Sequence, residues 1–241
     1  MEKNKISKKT LEYTIVRSDR KTIGLEVSHD KGLLIRVPKR VSQKRIKEVI
    51  REKNRWITRK LEEVKKINPT PDPLEFVTGE KIPYLGKYYK IIVKAVQNCK
   101  KPEVVFEFDN FLITINYDLK KEERRQIIKN ALEAWYKKQA GLVINDRINI
   151  FKEKIPREPV RVRIKKQKKR WGSCSSKGNL NFNWKLIMAP MSVLDYLVVH
   201  ELAHLVHPNH SKAYWNLVES TIPDYQDSKQ WLKINGNLLT I

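Results

Sequence analysis

Four of the five histidines in this chain lie between positions 200 and 210, in the run His-Glu-Leu-Ala-His-Leu-Val-His-Pro-Asn-His. On a helix, residues four apart share a face, so His200 and His204 aim their rings at a common point. Two neutral imidazoles at that spacing suit a zinc ion. Glu201 sits beside them, about 100° round the helix, and this is the pattern in which a glutamate takes a proton from a water held by the metal. A hydrolytic zinc site needs a third protein ligand and one open position. His207, His210 and Glu219 compete for that third place. Pro208 pushes His207 out of helical geometry, and Pro208-Asn209 reads as a turn that brings His210 back to the metal. Glu219 would have to reach in from the next helix. His210 is the favoured ligand, and its spacing from His204 is that of the longer H-E-x-x-H-x-x-G-x-x-H pattern, with His207 in place of the glycine. A structural zinc would need four ligands and no spare carboxylate.

Positioning these groups requires a buried helix and a strand beside it. Val193, Leu194, Leu197, Val198 and Val199 lead into the histidines, and Ser192 with Asp195 has a capping-box-like spacing. Just upstream, residues 179–187 alternate. Leu180, Phe182, Trp184 and Leu186 line one face, and Asn179, Asn181, Asn183 and Lys185 the other, which reads as a half-buried strand with a polar edge. Val160, Val162 and Ile164 suggest another strand. Residues 120–150 carry Ile127, Ile128, Ala131, Leu132, Trp135 and Tyr136 at helical intervals, with Gly141 as a weak point.

The first half reads differently. Strands are expected at 11–16, 22–27 and 33–37, the last two flanking a turn at His29-Asp30-Lys31-Gly32. Ser42 can cap a long helix carrying Ile46, Val49, Ile50, Ile57, Leu61 and Val64. Asn68-Pro-Thr-Pro-Asp-Pro73 must end it. Further strands are expected at 88–93, 104–108 and 111–115, the last pair joined by an Asp109-Asn110 turn. No internal repeat stands out. The expected organisation is a β-rich region over 1–117 with one long helix, followed by a helix–strands–helix region over 118–241, an α+β chain overall.

Composition narrows the partners. With 40% hydrophobic and 32% charged residues the chain is an ordinary globular one. The polar start, Met1 to Thr10, has no apolar core for a signal peptide, and no apolar run approaches the ~18 residues of a membrane span, so the expected address is cytoplasmic with no membrane partner. Cys99 and Cys174 make no disulfide framework and read as two buried thiols. Lys plus Arg outnumber Asp plus Glu by 50 to 27, a net charge of +23, which either steers polyanions toward the surface or reflects scattered solvated lysines. Residues 161–170 hold seven basic side chains and no acid, followed by Trp171, a segment able to track a phosphate backbone.

Several separated motifs resemble the YgjP-like metallopeptidases, relatives of the SprT-like zincins. They are Arg170-Trp-Gly-Ser-Cys-Ser-Ser-Lys-Gly-Asn-Leu-Asn-Phe-Asn-Trp184, Val199-His-Glu-Leu-Ala-His204, Asn209-His-Ser211 with Tyr214-Trp215, and, near the start, Arg20-Lys-Thr22 and Tyr84-Leu-Gly86. Tyr214 stands where phenylalanine is more usual. The resemblance implies a zincin-like core of backing helix, small sheet and HExxH helix, with His200, His204 and His210 as zinc ligands and Glu201 as general base. Its implied substrate is a protein or peptide, paired as an added strand along 179–187, so that Asn181 and Asn183 would face the cleft. Arg170 and Tyr214 are candidates to stabilise the developing oxyanion. Two other readings remain open at this stage: a zinc hydrolase of a phosphoanhydride or other small molecule, and a protease associated with nucleic acid through 161–170.

Overall fold

Alternating β-branched and aromatic residues with turn residues between them build the first part of the chain. A computed structural model of the protein describes residues 2–6, 11–28 and 31–241, and it falls into two compact units, Met1–Pro69 and Thr70–Ile241. In the first unit, strands β1 (Glu2–Ile6), β2 (Leu11–Ser18), β3 (Gly24–Ser28) and β4 (Gly32–Pro38) form a sheet in the order β1-β2-β4-β3. The strand pair β2/β4 is parallel, and β1/β2 and β3/β4 are antiparallel. The expected turn at 29–32 lies partly outside the described residues. Ser42 caps the following helix through Arg45 N–H at 3.2 Å. The long helix expected there is two helices, α1 (Gln43–Glu52) and α2 (Asn54–Lys65), divided at Lys53. Ile46, Ile50 and Ile57 close the core over Tyr13, Ile15, Leu33, Ile35 and Val37.

The second unit opens with another four-stranded sheet: β5 (Lys81–Tyr84), β6 (Lys87–Val96), β7 (Glu103–Glu107) and β8 (Asn110–Asn116), in the order β5-β6-β8-β7. Phe108 and Asp109, both at positive φ (48° and 56°), make the tight turn of the β7/β8 hairpin. This sheet repeats the connectivity of the first, with two antiparallel hairpins joined by a parallel central pair. Leu33, Ile35 and Val37 of β4 and Phe111, Ile113 and Ile115 of β8 occupy equivalent buried positions. A structural repeat is therefore present where the sequence shows none. A sheet face asks only for a bulky apolar residue at alternate positions, so little identity need survive.

Helix α3 (Lys121–Phe151) is 31 residues long and passes Gly141 unbroken. Beyond it lie β9 (Arg161–Lys165), β10 (Gly172–Cys174) and β11 (Asn179–Asn183), in the order β10-β11-β9. They are followed by α4 (Met191–Ala203), α5 (Lys212–Thr221) and α6 (Tyr225–Asn235). One apolar core runs from Ile91 and Phe111 in the sheet, through Ile128, Leu132 and Tyr136 on α3, to Leu194 and Val198 on α4. For that reason the units part at 69/70 and not at the expected 117/118: the apolar face of β5–β8 has its partner in α3. Among the described residues no helix is long and apolar enough to cross a membrane.

Candidate metal centre

Helix α4 is apolar nearly all round, with Val193, Leu194, Leu197, Val198, Val199 and Leu202 buried, as a helix through the middle of a core must be. The Ser192–Asp195 capping box does not form. Pro190 occupies the N-cap, and the Asp195 carboxylate instead takes a two-pronged ion pair from Arg147 of α3, one contact at 2.9 Å. That pair fixes the metal helix against its backing helix.

After Ala203 the helix unwinds, His207 N–H still bonding Ala203 O at 2.9 Å, and Pro208-Asn209 turns the chain. Ser211 then caps α5 through Tyr214 N–H at 3.3 Å. The turn carries His210 back to the other two rings. Candidate ligand atoms of His200, His204 and His210 all lie within 4.8 Å of one another, and Nε2 of His200 and His210 are 3.5 Å apart. Nitrogens around one tetrahedral zinc would be separated by about 3.3 Å. His207 is not in the cluster, and Glu219 lies exposed on α5, outside it.

The remaining ring nitrogens explain why Nε2 is the free one. Tyr214, fully buried, donates its hydroxyl proton to His200 O at 3.1 Å and lies 2.7 Å from His200 Nδ1. With that proton committed, the hydroxyl accepts from Nδ1–H, and Nε2 keeps its lone pair. His204 Nδ1 lies 3.1 Å from His207 O, an acceptor that again places the proton on Nδ1 and the lone pair on Nε2. Metal-ligating histidines are oriented by such partners. Trp215 stacks on His210, ring centroids 5.5 Å apart. Burial, then the neighbouring His204 and His210, push His200 down to about 3, so its imidazole is neutral, as a ligand must be. Burial also holds the Tyr214 hydroxyl well above the usual tyrosine range.

Glu201 is 3% exposed, and its Oε2 is buried with no hydrogen-bond partner. Without a cation beside it, burial pushes this carboxyl up to about 8, opposed by the charge of Arg170. Room for it comes from Gly172: a Cβ there would collide with Glu201 Oε1 and lie 2.8 Å from its Cγ and Cδ. A cradle of three imidazole lone pairs beside an unpartnered carboxylate oxygen fits a divalent cation and its water.

The cleft over these groups has a cavity of ≈ 660 Å³, walled by residues 172–176 and by α4 and its following turn. Here the structure corrects the expected substrate strand. β11 is the middle strand, hydrogen-bonded to β10 on one side and β9 on the other, so no peptide can add to it. The strand at the cleft is β10, with one side unpaired among the described residues. Asn183 does not face the cleft. It is 4% exposed, and its amide donates to Gln167 O (2.9 Å) and Arg170 O (3.2 Å) while its Oδ1 accepts from Lys185 N–H. Asn181 points its amide at Ser173 Oγ, 3.3 Å away, and is absent from the cleft lining. Tyr214 stands behind His200, its hydroxyl occupied, and is not available to an oxyanion. Arg170 does line the cleft. Cys174 is half-buried on the cleft wall, not sealed in the core, and burial together with Glu201 raises its thiol.

The YgjP-like metallopeptidase domain family matches the chain over residues 21–235. Among solved structures the chain is similar to the metallopeptidase zymogen abylysin of Pyrococcus abyssi, at 25% identity and a TM-score of 0.35. It is also similar to the metallopeptidase zymogen jannalysin of Methanocaldococcus jannaschii, at 26% and 0.34. Each likeness covers 39% of this chain and 94% of the other. No curated protein matches.

Proposed function

Since the chain belongs to the YgjP-like metallopeptidase family, we propose that it is a zinc endopeptidase whose ligands are His200, His204 and His210 and whose general base is Glu201. The observation that carries this reading is the unpartnered Glu201 Oε2, buried beside three convergent imidazoles. Zinc held there supplies Lewis acidity, polarising a peptide carbonyl and acidifying a water. Glu201 accepts the proton of the attacking water and returns it to the departing amine. Tyr214 and the His207 carbonyl hold two of the rings in the ligating tautomer. Gly172 leaves the carboxylate its space, and the Arg170 guanidinium, on the same cleft, acts on Glu201 through its charge. The unpaired side of β10 receives the substrate backbone as an added strand. Cleavage inside a chain is favoured because the cleft continues past His200 and Glu201 into a second cavity.

Metal analysis and hydrolysis of an unfolded protein, wild type beside Glu201→Gln, test this. The variant is expected to keep about one zinc per chain and to lose hydrolysis by 10²-fold or more. Full activity in the variant would remove Glu201 as the base, and a wild type that accepts no divalent ion would end the zinc reading.

A further inference from the structure

The second cavity has a chemistry of its own. It measures ≈ 380 Å³ and shares Arg170, Gly172, His200 and Glu201 with the first. Its apolar floor comes from Trp171, Leu197 and Leu232, and its charged side chains besides Glu201 are Arg170, Lys229 and Lys233, all exposed. Among the described residues the one carboxylate lining either cavity is Glu201 itself, buried and committed to proton transfer. Lys229 is held in place: its Nζ lies 4.1 Å from the centre of the Trp215 ring, the same ring that stacks on His210. A cation–π contact of this kind fixes an otherwise mobile ammonium in the layer next to the metal ligand.

We propose that this cavity recognises a carboxylate of the peptide substrate, supplied by an aspartate or glutamate side chain within a residue or two of the scissile bond. The inference rests on the peptidase reading above and names its substrate class. Apolar methylenes of the acidic side chain cover Trp171 and Leu232, while its carboxylate meets the three cations at the rim. A lysine or arginine in the same place would meet like charge from Arg170 and Lys229. Each exposed charge contact is worth roughly two- to fivefold, so the group together selects acid over its neutral isostere by about tenfold, and salt weakens that preference.

Three fluorescein-labelled peptides test it. Two have amidated ends and differ only in Glu against Gln beside the central bond, and the third carries Gln and a free terminal carboxylate. Anisotropy on the Glu201→Gln protein, with and without added zinc, is run beside hydrolysis by the wild type. The Glu peptide is expected to bind about tenfold tighter than its Gln partner at low salt, with the gap closing at high salt. Lys233→Gln and Lys229→Gln should each shrink the ratio. Lys229→Gln also strips the cation from Trp215, and Lys233→Gln is the variant that leaves that ring contact in place. A Glu preference in binding with no hydrolysis of any peptide would leave the cavity standing and sink the peptidase reading. Equal binding of the Glu and Gln peptides overturns the proposal. So does tight binding of the free-ended peptide alone, which would make the cavity a chain-end site. Displacement of the Glu peptide by a single-stranded oligonucleotide that binds more tightly would make it a phosphate site instead, and the proposal would fail.

Discussion

Tyr214→Phe removes one oxygen atom from a fully buried ring and nothing else. In the wild type that oxygen lies 2.7 Å from His200 Nδ1 and 3.1 Å from His200 O. His200 belongs to the last turn of α4, where carbonyls lack helical partners. The substitution leaves Nδ1–H without its acceptor in a buried site, a loss of about 1–3 kcal/mol, and allows the ring to adopt the other tautomer, which ligates poorly through Nε2. Zinc affinity should therefore fall by roughly 10- to 100-fold, the usual effect of losing such a supporting partner. Competition against a chelating dye measures it. At saturating zinc, kcat/KM should recover to within a few-fold of wild type, because the hydroxyl never meets substrate. The reasoning is refuted if affinity is unchanged while saturated activity collapses. That result would return Tyr214 to the reacting atoms as an oxyanion donor.

Gly172→Ala should keep its metal and lose activity by 10²-fold or more, since a Cβ would displace the Glu201 carboxylate. Zinc content beside steady-state kinetics checks it, and normal turnover would show that Glu201 has room to shift. Asn183→Ala should destabilise the fold by about 2–3 kcal/mol through two lost donors and an accepted bond. In thermal melts that is a drop of roughly 4–12 °C, and an unchanged melt would mean the 167–170 segment is held by other contacts. Tyr136 is held well above its ordinary value by burial, with Tyr84 adding to it. Above about pH 10 the unfolded chain releases this proton while the folded one keeps it. Stability from this group is thus fully present below pH 10 and falls as pH rises, by about 1.4 kcal/mol per unit. Tyr136→Phe gives up the bond to Pro83 O (2.7 Å) but should flatten that alkaline slope in urea titrations from pH 7 to 11; identical slopes would contradict the assignment.

What could be read in advance was what local spacing encodes. The i,i+4 histidines, the adjacent glutamate and the Pro-Asn turn bring His200, His204 and His210 together by geometry within a dozen residues. Period-two alternation located most strands, and Ser42 capped as its position implied. The failures are failures of long range. Alternation tells which face of 179–183 is apolar but not whether the strand is central or at an edge, so by itself it puts Asn181 and Asn183 at a cleft that belongs to β10. That strand, only Gly172–Cys174, is too short to alternate visibly. Asp195 has the right offset from Ser192 for a cap, yet Arg147, 48 residues away, outcompetes the backbone for it. Tyr214 gave no local sign of its role, since its partner lies one turn and one helix upstream.

Helix α3 has a consequence for how residues 70–241 come apart. At 1.5 Å per residue its 31 residues make a rod of about 46 Å, and a single apolar cluster connects it to the β5–β8 sheet and to the metal helix. Neither end can melt without exposing a stripe the other end shares. Cation binding at the histidines should thus slow amide exchange in the β7/β8 hairpin as well as around α4, raising one cooperative transition in place of two.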